Sequence, residues 1–479
     1  MFDIFIIGGG INGSGIARDA AGRGYKVGLA DQHDFGSQTS SWSTKLIHGG
    51  IRYLENYEFS LVRESLKERE IIYQIAGTIS KPLNFILPHV PSLRPSWLIR
   101  IGLFLYDFLA GNSVFPKSKR LNFFKEKLNF LSKEYQYGYQ YADLQIDDSR
   151  LTLLNILDSE RYGAEVYNYT KVISVNKIDD LWEICLSNGK KVFSKILVNA
   201  TGPMIRSSLK DVFKSEVTNA IRLIQGSHII IDKLYDEDKA YILQQPDKRI
   251  VFIIPYLEKY SLIGTTEVEV NSAINPCITS EEKNYLIESI NRFSAKKIKE
   301  QDILWSYSGV RPLIQDSTES MSKNSRDYHL DVQLDLEKLI HIYGGKLTTY
   351  RKLSEKTVDH IDSFFQKKNH HWTGLKKLPG SENNLKSHLK YPIDEATINR
   401  INKNYSGLSV KVFECMDDLK GVGLKICENL YEFEILYLLK YEHAKNADDI
   451  LFRRTKLGIQ FNSEEIRNKI NSIIKDHLN

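Results

Sequence analysis

The chain opens on a segment that dictates a parallel sheet with a helix laid against it. Residues Phe2 to Asp31 read FDIFIIGGGINGSGIARDAAGRGYKVGLAD. An apolar run, Ile4 to Ile7, predicts a strand leading into Gly8-x-Gly10-x-x-Gly13. Gly8 allows the tight turn, Gly10 lets backbone amides approach a diphosphate, and Gly13 lets the next helix pack closely on the strand. That helix, from about Ile11 to Ala21, aims its N-terminal amides and partial positive charge at the diphosphate; Gly22 and Gly24 stop it. A second strand, Tyr25 to Ala30, ends in Asp31, roughly twenty positions past the first glycine, where a carboxylate takes the hydroxyls of an adenosine ribose. The unit binds an adenine dinucleotide, and by itself allows NAD as readily as FAD.

At 479 residues the chain exceeds one ordinary core, so two or three domains are expected. Its 42% hydrophobic and 26% charged content is that of a globular protein. The net charge of +5 suits an anionic substrate or an acidic membrane surface and is too diffuse to argue for nucleic acid. Cys185, Cys277, Cys415 and Cys427 are scattered with no CxxC pair, which points to a reducing compartment, no disulfide framework and no metal site. A strand starting at residue 2 leaves no room for a signal peptide, and no apolar run reaches the ~18 to 20 residues of a spanning helix. The nearest candidate, Trp97 to Ala110 (WLIRIGLFLYDFLA), is flanked by Arg94 on one side and Lys117, Lys119 and Arg120 on the other, and contains Arg100. Two readings stay open for it: a helix lying in a membrane interface, or a buried core helix.

Two more strand-to-glycine junctions follow. Val192 to Asn199 runs into Ala200-Thr201-Gly202-Pro203, and Leu339 to Tyr343 runs into Gly344-Gly345-Lys346-Leu347-Thr348-Thr349, which opens a helix. Three such junctions converge on one cofactor, and the last places a helix N-terminus where a flavin ring can rest, which disfavours an NAD-linked enzyme. Ser227 to Asp232, Arg249 to Pro255 and Ser261 to Thr266 read as strands of a substrate domain. The segment Thr39 to Leu54, with its hydroxyls, Lys45, His48, Gly49, Gly50 and Arg52, makes a poor core and a good ligand lining. From about 380 onward the composition turns helical and charged, with an apolar stripe through Leu430, Phe433, Leu436 and Leu439 and breaks at Gly407, Gly421 and Gly423. Arg453-Arg454 is a surface patch or a packing pair.

These stretches resemble the FAD-dependent glycerol-3-phosphate dehydrogenases of aerobic respiration, within the wider glycine-oxidase-like and D-amino-acid-oxidase-like flavoproteins. The resemblance is carried by IIGGGINGSGIARDAAGRG, SSWSTKLIHGGIRYLE, RPSWLIRIGLFLYD, NATGP, IRLIQGSHI, DKRIVFIIPY, IGTTE, YSGVRPL, SRDY and YGGKLTTYRKL, from residue 1 to about 365, and weakly by ADDILFRRTKLG near residues 447–458. Asp31 stands where the family usually has Glu, and Met204 where an aromatic is common. The resemblance implies an α/β fold: a Rossmann-like FAD-binding domain of the glycine-oxidase/D-amino-acid-oxidase type with an inserted β-rich substrate domain, plus an α-helical C-terminal domain. The oxidoreductase region then spans about 1–375, with FAD-binding segments near 1–75, 145–205 and 305–370 and substrate-domain segments near 76–144 and 206–304, and the helical domain spans 380–479.

The resemblance further implies that Arg52, Tyr53, His228, Arg311, Arg326 and Lys346 line the substrate pocket, which the physics supports: guanidinium forks suit a phosphate dianion. Arg311 is expected in a turn, Ser308 to Pro312. His228 is expected as general base for the C2 hydroxyl of glycerol 3-phosphate, as a histidine suited to neutral pH, with His48 and His89 as rivals. Lys346 or Arg311 would stabilise the developing alkoxide and the ketone of dihydroxyacetone phosphate. FAD contacts are expected from Gly8, Gly10, Ile11, Asn12, Gly13, Asp31 and Gln32, from Gly36, Ser40, Ser41, Lys45, Leu46, His48 and Gly49, from Gly202, and from Gly344, Gly345, Leu347 and Thr348. Non-covalent FAD, electron transfer to membrane quinone and a cytoplasmic, peripheral place on the inner membrane face come with the family, while a homodimer stays open. The rival readings are a glycerol-3-phosphate oxidase using O2 and a non-catalytic flavin-binding interaction protein.

Overall fold

The protein is described by a computed structural model covering residues 1–215, 220–315, 328–381 and 390–478. The elements that build the site are, in chain order, β1 (Phe2–Ile7), α1 (Ile11–Gly22), β2 (Val27–Ala30), α2 (Ser96–Ala110), α3 (Asp148–Arg161), β3 (Lys191–Asn199), β4 (Ala220–Asp232), β5 (Tyr260–Gly264), α4 (Ser280–Asn291), β6 (Ile303–Gln315), β7 (Leu339–Tyr343) and α5 (Tyr350–Phe364).

The first sheet places β1 at its centre, with β2 and Glu165–Tyr167 on one side and β3 and β7 on the other, all parallel. His329–Gln333 closes one edge antiparallel to β7, and a hairpin of Val172–Ile178 and Leu181–Leu186 extends from β3. Parallel strands are covered on both faces, which is why β1 reads as an apolar run rather than an alternation. Ile4, Phe5 and Ile6 are fully buried, each contributing at most about 1.5–3 kcal/mol. α1, α3 and α5 pack together on one side of this sheet, where Ile16, Ile156 and Leu353 share a core. The strands of β1, β3 and β7 end side by side, so all three glycine junctions open at one sheet edge.

The second sheet has ten strands. Its order is Val268–Val270, β4, β5, Ile250–Tyr256, Lys239–Gln244, Ser80–Pro88, Tyr137–Ile146 and Leu46–Ile47, with β6 paired to β4 and Lys119–Asn122 to Tyr137–Ile146. Two findings correct the expected arrangement. Leu46–Ile47 and β6, expected with the cofactor-binding segments, belong to this sheet, because each pairs with a strand far away in the chain, Leu46 with Gln145 and His228 with Tyr307. Arg311 accordingly lies within a continuous antiparallel strand opposite Ile224, not in a turn.

The C-terminal region is helical, with Leu430, Phe433 and Leu436 buried in a core that also takes in Leu151 and Leu154 of α3. Arg453 and Arg454 are a packing pair: both are buried against Asp34. α2 has one buried face and one exposed face. Ile99, Leu103 and Tyr106 are buried, while Trp97, Phe104 and Phe108 on the other face are 63%, 68% and 70% exposed. Among the described residues no helix is long and apolar enough to cross a membrane.

Candidate active site

The edge where the glycine junctions meet opens into a cavity of about 420 Å³. Gly8, Gly10, Ile11, Asn12, Asp31, Gln32, Gly36, Ser40, Gly202, Gly344 and Gly345 all line it, as expected from the sequence. Its floor is closed to side chains. A Cβ on Gly8, which has φ +106°, would meet the Ala200 carbonyl oxygen at 2.6 Å, and one on Gly345, φ +103°, would meet Asn12 Nδ2 at 2.7 Å. Asn12 Nδ2 donates to the Gly344 carbonyl at 3.0 Å and so ties the first junction to the third, while its Oδ1 is buried and makes no hydrogen bond among the described residues. Asp31 accepts the Gly9 amide on one oxygen at 2.7 Å and the His33 amide on the other at 2.8 Å. A carboxylate has about four acceptor positions, so each oxygen keeps capacity for a hydroxyl.

A second cavity of about 720 Å³ continues from the first, sharing Ile11, Thr39, Ser40, Arg311, Gly344 and Gly345 with it. The cleft is therefore one elongated site with Arg311 at its waist. Leu46, His48, Arg52, Tyr53, His228, Lys346, Leu347 and Thr348 gather in this outer half. Lys346 Nζ lies 4.3 Å from the centre of the Tyr53 ring, a cation–π contact, and is buried with no hydrogen bond among the described residues. Among the described residues, no oxygen pairs with its charge.

His228, on β4, is 2% exposed. Its ring is stacked on Tyr307 at 4.8 Å between centroids, and its Nε2 shares a hydrogen bond of 3.0 Å with Thr44 Oγ1. On β5, Gly264 leaves the room it needs, since a Cβ there would sit 2.1 Å from His228 Cδ2. Burial, with the Lys45 and Arg311 charges adding to it, pushes the imidazole pKa down to about 3. This corrects the expectation of a histidine titrating near neutral pH: the ring is neutral throughout the physiological range. His89, a rival, is stacked on Tyr137 and does not line the cleft. His48 does line it.

Four residues expected to contact the cofactor do not line the cleft and make contacts within the protein. Gly13 serves packing: a Cβ there would lie 1.9 Å from the Gly8 carbonyl. Ser41 Oγ donates to the Gly36 carbonyl at 2.7 Å, and the Gly49 amide donates to Tyr106 Oη at 2.9 Å. Lys45 is buried and donates to Asp148 at 2.7 Å and to the Ser41 carbonyl at 3.0 Å, because a buried ammonium must find a carboxylate and α3 supplies one at its first turn. Arg326 lies outside the described residues. Sequence reasoning passed over Thr44 and Gly264; both stand inside quoted motifs, SSWSTKL and IGTTE, but nothing local marks a hydroxyl or a glycine as a partner of a histidine on another strand.

Comparison with known proteins agrees with this geometry. The family model of FAD-dependent oxidoreductases matches residues 3–351. A glycerol-3-phosphate dehydrogenase of Pseudomonas aeruginosa is 41% identical over 98% of this chain and 94% of the relative, and the aerobic glycerol-3-phosphate dehydrogenase of Escherichia coli is 40% identical over 97% and 95%. The chain belongs to the FAD-dependent glycerol-3-phosphate dehydrogenase family. A glycerol-3-phosphate dehydrogenase from Bacillus halodurans, solved with FAD, shares the fold with a TM-score of 0.74 and 25% identity across 100% of this chain and 94% of that one. The glycine oxidase of Geobacillus kaustophilus shares the fold alone, with a TM-score of 0.58 at 17% identity over 79% and 98%. A similar relative from Brucella abortus, 38% identical over 95% of this chain and 94% of its own, is a D-erythritol 1-phosphate dehydrogenase.

As a glycerol-3-phosphate dehydrogenase family member, the chain has FAD as its cofactor, and its residues fit that group. The glycine floor leaves room for a diphosphate against the start of α1, Asp31 would hold a ribose hydroxyl, and Asn12 Oδ1, without a hydrogen bond among the described residues, lies beside Gly345.

Proposed function

We propose that this chain oxidises sn-glycerol 3-phosphate to dihydroxyacetone phosphate at the outer half of the cleft. The observation that carries the reading is the convergence of a neutral, clamped His228 with Lys346, Arg311 and Arg52 at the end of an FAD-shaped site. Bound FAD supplies a hydride acceptor at flavin N5 for the hydrogen on C2. His228 takes the proton from the C2 hydroxyl, so that one hydride, one proton and a new carbonyl balance the step. Lys346 stabilises the oxygen while it carries negative charge, and Arg311 and Arg52 hold the phosphate.

A His pKa near 3 makes a weak base in the free enzyme. Arg311, one of the two cations that add to the burial effect, lines the cleft, so a bound phosphate dianion offsets its share of the depression while the larger part, from burial, stays. The Brucella relative shows that identity near 40% leaves two phosphorylated polyols open, and a 720 Å³ cavity admits either. Anaerobic mixing of the FAD-loaded protein with each compound decides: the flavin absorbance band should bleach with glycerol 3-phosphate at a kcat/KM at least about tenfold above that for D-erythritol 1-phosphate. The reverse ranking, or no bleaching, ends the reading.

We further propose that the electrons pass to membrane quinone, with the chain bound peripherally at the inner face of the cell membrane. The exposed aromatic face of α2 and the exposed Arg100, Lys117, Lys119 and Arg120 around it support this. Turnover that releases peroxide and is indifferent to added quinone would favour an oxidase.

A further inference from the structure

Buried charges join the C-terminal region to the oxidoreductase region at α3, where Arg150 pairs with Glu442, and at the loop that runs from Asp31 to Lys45. Asp34 has a fully buried side chain and accepts from Arg453 Nε at 2.6 Å and from Arg454 Nη1 and Nη2 at 2.7 and 2.8 Å. Asp34 stands between Asp31 and Gly36, both of which line the nucleotide half of the cleft. Its neighbour Phe35 packs on Gly9, where a Cβ would lie 2.6 Å from the Phe35 ring, and is met on its other side by His443 at 5.5 Å between centroids. The far end of the same loop is held through α3. Lys456 pairs with Asp147, and the adjacent Asp148 accepts from Ser43 Oγ at 2.7 Å and Lys45 at 2.7 Å.

A buried carboxylate without a partner is costly, so Asp34 can keep its buried place only while Arg453 and Arg454 are docked on it. Those arginines are in turn fixed from their own side, Arg454 donating to the Glu442 carbonyl at 2.7 Å and Arg453 to Asp449. We propose that the C-terminal helical region is a clamp on the FAD-binding loop, with Asp34, Arg453 and Arg454 as positioning residues for the cofactor. The proposal rests on FAD as the cofactor. It assigns the C-terminal region a part in holding FAD that none of its described residues plays by contact, because none of those lines the cleft.

Coupling of this kind is reciprocal: if docking tightens FAD, FAD must tighten docking. In the wild-type chain, stripped of flavin and reloaded, FAD should slow amide hydrogen exchange across residues 442–456; exchange there that is indifferent to FAD overturns the proposal with no variant needed. Flavin-fluorescence titration of the apoproteins should give a Kd for FAD about tenfold or more weaker in Asp34→Asn and Arg454→Gln than in wild type, with Arg454→Lys intermediate. The control is Arg400→Met, which breaks the Arg400–Glu434 pair inside the C-terminal region and should lower thermal stability without moving the Kd. An unchanged Kd in folded Asp34 and Arg454 variants, or an equal shift in the control, reduces the pairs to ordinary interdomain packing. A wild-type chain that takes up no FAD would instead overturn the cofactor assignment itself.

Discussion

At the scale of single residues, His228 decides how the chemistry responds to pH. The base must be neutral to accept a proton, and with a pKa pushed down to about 3 it is neutral at pH 5 as well as at pH 8. An ordinary histidine would lose activity about tenfold per unit below its usual 6.5. The expected kcat/KM profile of anaerobic flavin reduction therefore has no acid limb belonging to His228 between pH 5 and 8. The substrate phosphate, with a second ionisation near pH 6, contributes a limb of its own. His228→Asn should lower the rate by about 100-fold or more while leaving the shape of the profile unchanged. A limb near 6.5 that vanishes in the variant would return His228 to an ordinary titration and remove the argument from burial.

At the scale of elements, what could be read from the sequence was what is local. The strand, glycine turn, helix and terminal Asp31 of the first unit obey rules that span about thirty residues, and the structure places them as read, with β2 starting at Val27. Long-range pairing was not legible. Arg311 reads as part of a turn because Gly309 and Pro312 flank it, yet β6 pairs with β4 from Ala220 to Ile231 and straightens the segment. The hydroxyl-rich segment reads as a ligand lining, and Thr39, Ser40, Ser43 and Thr44 do line the cleft, yet Lys45 is paired with Asp148, a hundred residues on, which Ser43 also meets. For α2 the periodicity permitted both a buried and a lipid-facing reading; one face is buried and the opposite face is exposed, and contact of that exposed face with lipid is a proposal. Phe104→Ser with Phe108→Ser should weaken binding to vesicles containing anionic lipid by about tenfold or more, since each side chain withdraws roughly 1.5–3 kcal/mol of burial, while glycerol 3-phosphate still bleaches the flavin. Sedimentation with vesicles reads this directly, and binding equal to wild type would take α2 out of the interface.

At the scale of the whole molecule, charge is buried where distant parts of the chain meet. Arg453–Asp34, Arg150–Glu442 and Arg18–Asp158 each join segments more than a hundred residues apart, and removing one partner leaves the other charge uncompensated in the interior. Acid is the natural probe of such an assembly. His228 and His341 are both held neutral by burial, with pKa values pushed down to about 3 and about 4, against 6.5 in the unfolded chain. Between those values the unfolded state binds protons that the folded state does not, so their contribution to stability is fully present above pH 6.5 and is lost as pH falls toward the folded values. Burial raises the pKa of Asp19, Asp31 and Glu68, which pushes in the opposite direction, so the net pH dependence of the wild type alone is ambiguous and a difference is needed. For His228 the loss between pH 7 and pH 5 is about 2 kcal/mol, at 1.36 kcal/mol per unit below 6.5. Urea unfolding at the two pH values should show wild type losing about 2 kcal/mol more than His228→Asn. Parallel losses in the two proteins would mean that His228 is already charged in the fold, and the neutral base proposed for the reaction would fall with it.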